Sequence, residues 1–204
     1  MISNEIEKEY GFSAIGIDEA GRGPLAGAVV ASAVLYNDNL PKEINDSKKL
    51  SEAKREKLYD IIMKNAKVGI GIVSAEEIDN INILRATELA MQRAYSELGV
   101  SASIALIDGN IAFNLGENQK VLPIVKGDSK SISIAAASII AKVTRDRMLL
   151  QLHEQYPHYA FDKHKGYPTA LHMQMLNKYG AIKGVHRHSF APVKLLKNQF
   201  ELIF

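Results

Sequence analysis

Short apolar runs alternate with longer segments of helical spacing along most of this chain. Ser13 to Ile17 and Ala28 to Tyr36 are apolar runs of strand length, and Val68 to Val73, Ile104 to Asp108 and Val121 to Val125 repeat the pattern. Ser51 opens a polar segment that predicts a helix to about Lys64. Ser74, with Glu77 three residues later, has the pattern of a capping box, and helical spacing from Ile83 to Leu98 then ends at Gly99. Ser131 to Tyr156 predicts a long helix that stops before Pro157, and a last helical pair is expected over Thr169 to Tyr179 and Val193 to Gln199. Strand, strand, helix, strand, helix, strand, strand, helix is an α/β order with a helical C-terminal portion from about residue 157 to 204. Doubly wound folds share that order, so periodicity alone leaves the sheet topology open.

With 204 residues, 47% of them hydrophobic and 24% charged, the chain has the size and composition of one domain, 1–204, with a substantial core. No apolar run reaches the length of a membrane span. Met1 to Tyr10 carries Glu5, Glu7 and Glu9 where a secretory leader has an apolar core, and there is no cysteine, so a cytoplasmic location is the expectation. A formal net charge of +2 is too small to argue for nucleic acid. Its distribution says more: from Lys126 to Lys197 basic residues outnumber acidic ones, and His164, Lys165, His186, Arg187 and His188 fall in loop-like stretches suited to a phosphate backbone or simply to a solvated surface.

The candidate chemistry begins at the end of the first apolar run. Asp18 and Glu19 are adjacent acids followed by Gly21-Arg22-Gly23-Pro24, where the glycines leave backbone N–H groups open to a sugar or phosphate and Arg22 supplies a forked cation. Asp108 ends a predicted strand ahead of Gly109-Asn110, and Asp128 follows another in a Lys-Gly-Asp turn. Acids at strand ends also cap helices and make Asx turns, but Asp18-Glu19 has no helix start behind it. If the first and fourth strands are neighbours, Asp18 and Asp108 meet at one sheet edge, and such a cluster needs hard divalent cations to relieve its repulsion. Asp146 is a rival carboxylate, but on a helix between Arg145 and Arg147 it is expected to form an ion pair. The histidines form no convincing zinc set: there are no cysteines, and His186 and His188 diverge in an extended loop, which favours surface or phosphate-contacting histidines. Nucleotide binding is the main rival function, but Gly21, Gly23 and Gly27 do not make G-x-G-x-x-G and no G-K-[ST] is present. A catalytically silent hybrid-binding protein is a third reading, which the intact acid set disfavours.

Gly16 to Gly27 resembles the signature of the type 2 ribonuclease H family. Asn45 to Ser51, Leu106 to Asn110, Val125 to Ser129, Ala136 to Asp146 and His164 to Pro168 are similar to the family's other blocks, in order and over nearly the whole chain. The resemblance implies a ribonuclease H-like fold, a five-stranded mixed sheet flanked by helices, and a monomeric endoribonuclease acting in replication and ribonucleotide excision repair. Its substrates would be RNA–DNA hybrids and single ribonucleotides in duplex DNA, cut to leave 3′-hydroxyl and 5′-phosphate ends. It further implies that Asp18, Glu19, Asp108 and Asp128 are catalytic and hold two Mg2+ or Mn2+ ions, with Asp18 bridging. Gly21, Arg22 and Gly23 would read the 2′-hydroxyl through main-chain groups, and Tyr167 would pack on the neighbouring sugar. Lys48, Lys49 and Lys165 are the phosphate candidates. Gln199, Leu202 and Phe204 resemble the short peptides that dock on bacterial sliding clamps, although an apolar tail folded back on the domain would carry the same residues. Longer family members continue past the last predicted helix, so a further C-terminal segment is expected to be absent or shortened.

Overall fold

The computed structural model describes residues 2–10, 13–116 and 119–201, without the side chains of 197–201. Its five strands are β1 (Ala14–Ala20), β2 (Val29–Leu35), β3 (Val68–Val73), β4 (Ile104–Asp108) and β5 (Val121–Ile124), in one sheet of order β3-β2-β1-β4-β5. β2 is antiparallel to both β1 and β3, whereas β1, β4 and β5 are mutually parallel. The five-stranded mixed sheet that the family resemblance implies is present, with β1 at its centre. Pro123 falls in β5, an edge strand, where a missing N–H is tolerated.

The helices are α1 (Glu5–Glu9), α2 (Glu52–Asn65), α3 (Ala75–Leu98), α4 (Ile132–Gln155), α5 (Phe161–His164), α6 (Ala170–Tyr179) and α7 (Ala191–Glu201). Side chains at their starts explain several boundaries: Ser51 accepts from the Lys54 N–H, Ser74 and Glu77 complete the capping box, and Thr169 accepts from the His172 N–H. Helical spacing from Ile83 understates α3, because the capped turn at Ser74 begins it earlier and Asn82, at φ 64°, interrupts it. The Asn82 side chain then caps the continuation by accepting from the N–H groups of Leu84 and Arg85.

α3 covers one sheet face, where Ile15, Ile17, Ala31, Ala33 and Ile107 pack against Ile78, Ala86, Ala90 and Met91. The other face belongs to α4, which comes so close to β1 that a Cβ on Gly16 would lie 2.1 Å from the Ser133 carbonyl carbon. α1 has no apolar periodicity to announce it and is pinned by Glu7, a buried carboxylate that accepts from the Ser131 and Ser133 hydroxyls and the Ser133 N–H at the start of α4. The C-terminal helices build a third apolar cluster, with Phe161, Leu176 and Val193 packed on Leu25 and Ala26 behind the glycine-rich loop. Among the described residues, no helix is long and apolar enough to cross a membrane.

Candidate active site

Sheet register brings the acids together. The last rung between β1 and β4 pairs Ile17 with Ile107, both facing α3. Side chains alternate along a strand, so Asp18 and Asp108, one residue further on each, stand side by side on the α4 face. Asp18 is nearly buried, and its carboxyl is pushed well above the usual range, first by loss of solvent and then by the charges of Glu19 and Asp108; a hydrogen bond from Ser138 acts the other way. Glu19 is also raised, chiefly by burial, against the pull of Arg22, whose Nη1 lies 3.4 Å from its carboxylate. The first strand runs on to Ala20 because β2 keeps pairing with it as far as Ala20↔Val30, so these acids lie inside the strand rather than just past it.

Asp108 organises the turn that carries Asp128. Its Oδ1 accepts from the Gly127 N–H at 2.6 Å, and Asp128 follows in a short 3-10 turn, Gly127–Ser129. Asp128 is mostly buried and raised by loss of solvent and by Asp108 and Asp46, and Lys48 stands 3.8 Å away and opposes the shift. Among the described residues, no three acidic or histidine side chains are drawn together closely enough to hold an ion as they stand. The donor set itself, all hard oxygen and short of positive charge, has the chemistry of a Mg2+ or Mn2+ site.

A cleft of about 300 Å³ is lined by Asp18, Glu19 and Asp108 together with Gly21-Arg22-Gly23, Lys48 and Tyr167, while Asp128 lies outside its lining. Tyr167 is 44% exposed, and a Cβ on Gly23 would lie 3.7 Å from its ring, so the ring and the loop form one wall. Lys49 faces Asp46 at 3.7 Å, outside the cleft lining, and Lys165 takes a left-handed turn at φ 49° just before the tyrosine. Ser138, Lys142 and Arg145 of α4 also reach the cleft. Their i, i+4, i+7 spacing puts them on one face of α4, a signal that motif reading passed over. Asp146 bonds the Lys142 Nζ at 2.7 Å, the i,i+4 ion pair expected of it.

The histidines and Arg187 depart from the expectation of a surface. His164, His172, His186 and Arg187 are all buried behind the Tyr167 loop. Hydrogen bonding assigns their protons. His164 accepts at Nδ1 from the Gly166 N–H and so donates from Nε2 to the Tyr159 carbonyl. His186 accepts at Nδ1 from the Ile182 N–H and donates from Nε2 to Nε2 of His172, 3.2 Å away. His172 can accept there because its own Nδ1–H donates to the Tyr167 carbonyl at 2.9 Å. All three rings are satisfied while neutral. Burial lowers His172 to about 4 and, with the neighbouring His172 and His188, lowers His186 to about 3. The contact is reached through tertiary packing of α5, α6 and the 180–190 segment, which loop composition does not reveal. Of the tail residues, Gln199 lies in α7 with its side chain outside the described residues, and Leu202 and Phe204 lie outside them altogether.

The fold and the acid-edged cleft define a ribonuclease H-like nuclease. The family model described as Ribonuclease HII matches residues 15–193. A ribonuclease HII of Fusobacterium nucleatum subsp. nucleatum is 56% identical over 92% of this chain and 89% of its own. Among solved structures, the ribonuclease H2 from Pyrococcus horikoshii OT3 superposes with a TM-score of 0.77 at 25% identity, covering 92% of this chain and 98% of the other. The RNase HII in the PCNA:RNase HII complex from Archaeoglobus fulgidus gives 0.74 at 29% identity, over 86% and 92%. The chain belongs to the ribonuclease HII family, and its activity is that of a ribonuclease H-type endoribonuclease.

Proposed function

We propose that this nuclease cleaves the RNA strand of RNA–DNA hybrids and nicks duplex DNA on the 5′ side of a single embedded ribonucleotide, leaving 3′-hydroxyl and 5′-phosphate ends. The observation that carries the reading is the juxtaposition of Asp18 and Asp108, each one residue past the last rung of neighbouring parallel strands, in a cleft that a glycine loop and an exposed tyrosine also line. Asp18, Glu19, Asp108 and Asp128 would hold the divalent cations. Mg2+ or Mn2+ there supplies the Lewis acidity for diester hydrolysis.

The chain's own groups supply binding and selection. Gly21, Arg22 and Gly23 present main-chain groups to the 2′-hydroxyl, the one feature that separates ribose from deoxyribose whatever the base. Tyr167 lies on the next sugar and favours deoxyribose there, since an added hydroxyl would meet the ring. Lys48, next to Asp128, and Lys49 and Lys165 at the rim take backbone phosphates. The tail, through Gln199, Leu202 and Phe204, docks on a sliding clamp; this is supported by its sequence and by the PCNA complex of the Archaeoglobus relative. Unchanged clamp retention after deletion of Phe204 would remove that last assignment.

The test of the activity is a defined-substrate gel with Mg2+ or Mn2+ and three duplexes: one with a single ribonucleotide, one RNA–DNA hybrid and one all-DNA. A single nick 5′ to the ribonucleotide, ligatable ends and an uncut all-DNA duplex are expected. Cutting of all three alike, or of the hybrid alone, would overturn the proposed specificity.

A further inference from the structure

The Gly21–Ala28 loop is held from behind by two arginines, and neither has a salt-bridge partner among the described residues. Arg187 is fully buried and donates only to backbone carbonyls: Nε to Gly27 at 3.0 Å, Nη1 to Arg22 at 3.0 Å and Nη2 to Gly21 at 2.6 Å. Arg145, also buried, donates to the carbonyls of Ala28, Ala26 and Lys165 and so ties the loop to the segment that carries Tyr167. Gly21 lies directly on Arg145, where a Cβ would come 2.1 Å from Nε, and its φ of +98° independently favours glycine. A buried guanidinium is costly unless its donors are matched. Here six carbonyl dipoles match them, at the expense of fixing the loop in one conformation.

That fixing has a direction. All the peptide bonds described are trans, so each carbonyl points opposite to the N–H of the same peptide plane. With the Gly21 and Arg22 carbonyls drawn back to Arg187, the N–H groups of Arg22 and Gly23 face the other way. There they border the cleft, and no protein acceptor takes either of them among the described residues. We propose that Arg187 is a positioning residue for ribose discrimination: by capturing two consecutive carbonyls it turns the next two amides outward as a ready donor pair for the 2′-hydroxyl oxygen. The proposal rests on the reading that this loop meets the ribose and adds what aims it. A planar fork spans three carbonyls at once, which a lysine ammonium at a single point does not.

The test uses Arg187→Lys in an Asp18→Asn background, so that substrate is bound without being cut. Affinities are measured for a duplex with one ribonucleotide and for the same duplex with deoxyribose at that position, and folding is checked by circular dichroism. The Asp18→Asn protein is expected to prefer the ribonucleotide, and Arg187→Lys to lower that preference about tenfold, as for a lost hydrogen bond with its partner left unpaired. A folded Arg187→Lys protein with the preference intact, even if both affinities fall in parallel, overturns the proposal while leaving the proposed activity standing. Absence of any preference before Arg187 is changed overturns the underlying reading of the loop. If Arg187→Lys does not fold, amide NMR of the Asp18→Asn protein decides: the Arg22 and Gly23 N–H signals should shift with the ribonucleotide duplex and not with its deoxy counterpart. Equal shifts with both would overturn the proposal.

Discussion

The two walls of the cleft are built on opposite principles. On the acid wall, the carboxyls of Asp18 and Glu19 are raised with burial as the largest cause, and so is that of Asp128 beside the cleft, even with Arg22 near Glu19 and Lys48 near Asp128. On the loop wall, Arg145 and Arg187 donate to six carbonyls, His186 donates to His172, and every ring nitrogen of His164, His172 and His186 has a hydrogen-bond partner. One wall holds buried carboxylates that repel one another; the other has its buried donors matched. In the proposed function, that difference separates the acids that would hold cations from the loop that would read the ribose, because a reader must be fixed before substrate arrives whereas a cation site gains from unrelieved charge.

Asp18→Asn should break the contrast most severely. Cleavage is expected to fall by on the order of 10³ or more, measured on the single-ribonucleotide duplex. Without divalent cations, the same variant should unfold at higher urea, by about 1 kcal/mol, because a carboxyl raised on folding costs stability above its unfolded pKa. Cleavage that persisted would refute the role of Asp18, and a less stable protein would refute the strain assigned to the acid wall.

The loop wall should respond to acid with the opposite sign. His172 and His186 are lowered on folding, so the unfolded chain takes up their protons first; their contribution is full above about pH 6.5 and is lost as pH falls toward about 4. A loss on the order of 3 kcal/mol by pH 5 is expected from urea titrations. His172→Gln, whose Oε1 can accept from His186 but which gives up the donor to Tyr167, should flatten that dependence. A wild-type profile flat from pH 7 to 5 would contradict the neutral histidine chain.

Smaller effects sharpen the division of labour. Tyr167→Ala should lower the preference for a DNA-side sugar about tenfold, roughly the worth of one stacked aromatic contact. Lys48→Ala should reduce the salt slope of binding by about one. Equal salt slopes would move Lys48 from the phosphate to its ion pair with Asp128.

Much of the sheet was legible in the sequence because strands and turns are local. Val68 to Val73 and Ile104 to Asp108 were bounded by their own apolar runs, and Ser74-x-x-Glu77 announced its helix through the side chains that cap it. The juxtaposition of Asp18 and Asp108 followed from strand adjacency alone once β1 and β4 were neighbours. The loop wall was not legible, since Arg187 meets Gly21 across 166 positions and His186 meets His172 only after α6 has packed. Basic and histidine residues in an irregular segment look like surface until an apolar cluster closes over them, as Phe161 and Leu176 do here. Glu7 gave no signal of its role for the same reason: it is buried against the first turn of α4 through contacts 124 and 126 positions away.

The central claim, that the acid wall is the cation site, is open to a direct measurement by paramagnetic broadening. On titration of the labelled protein with Mn2+, side-chain carboxyl signals of Asp18, Glu19 and Asp108 should be the first to broaden, and Asp108→Asn should weaken the effect at Asp18. Broadening that begins elsewhere, for instance at Asp46 or Asp79, and spares Asp18 would contradict the account.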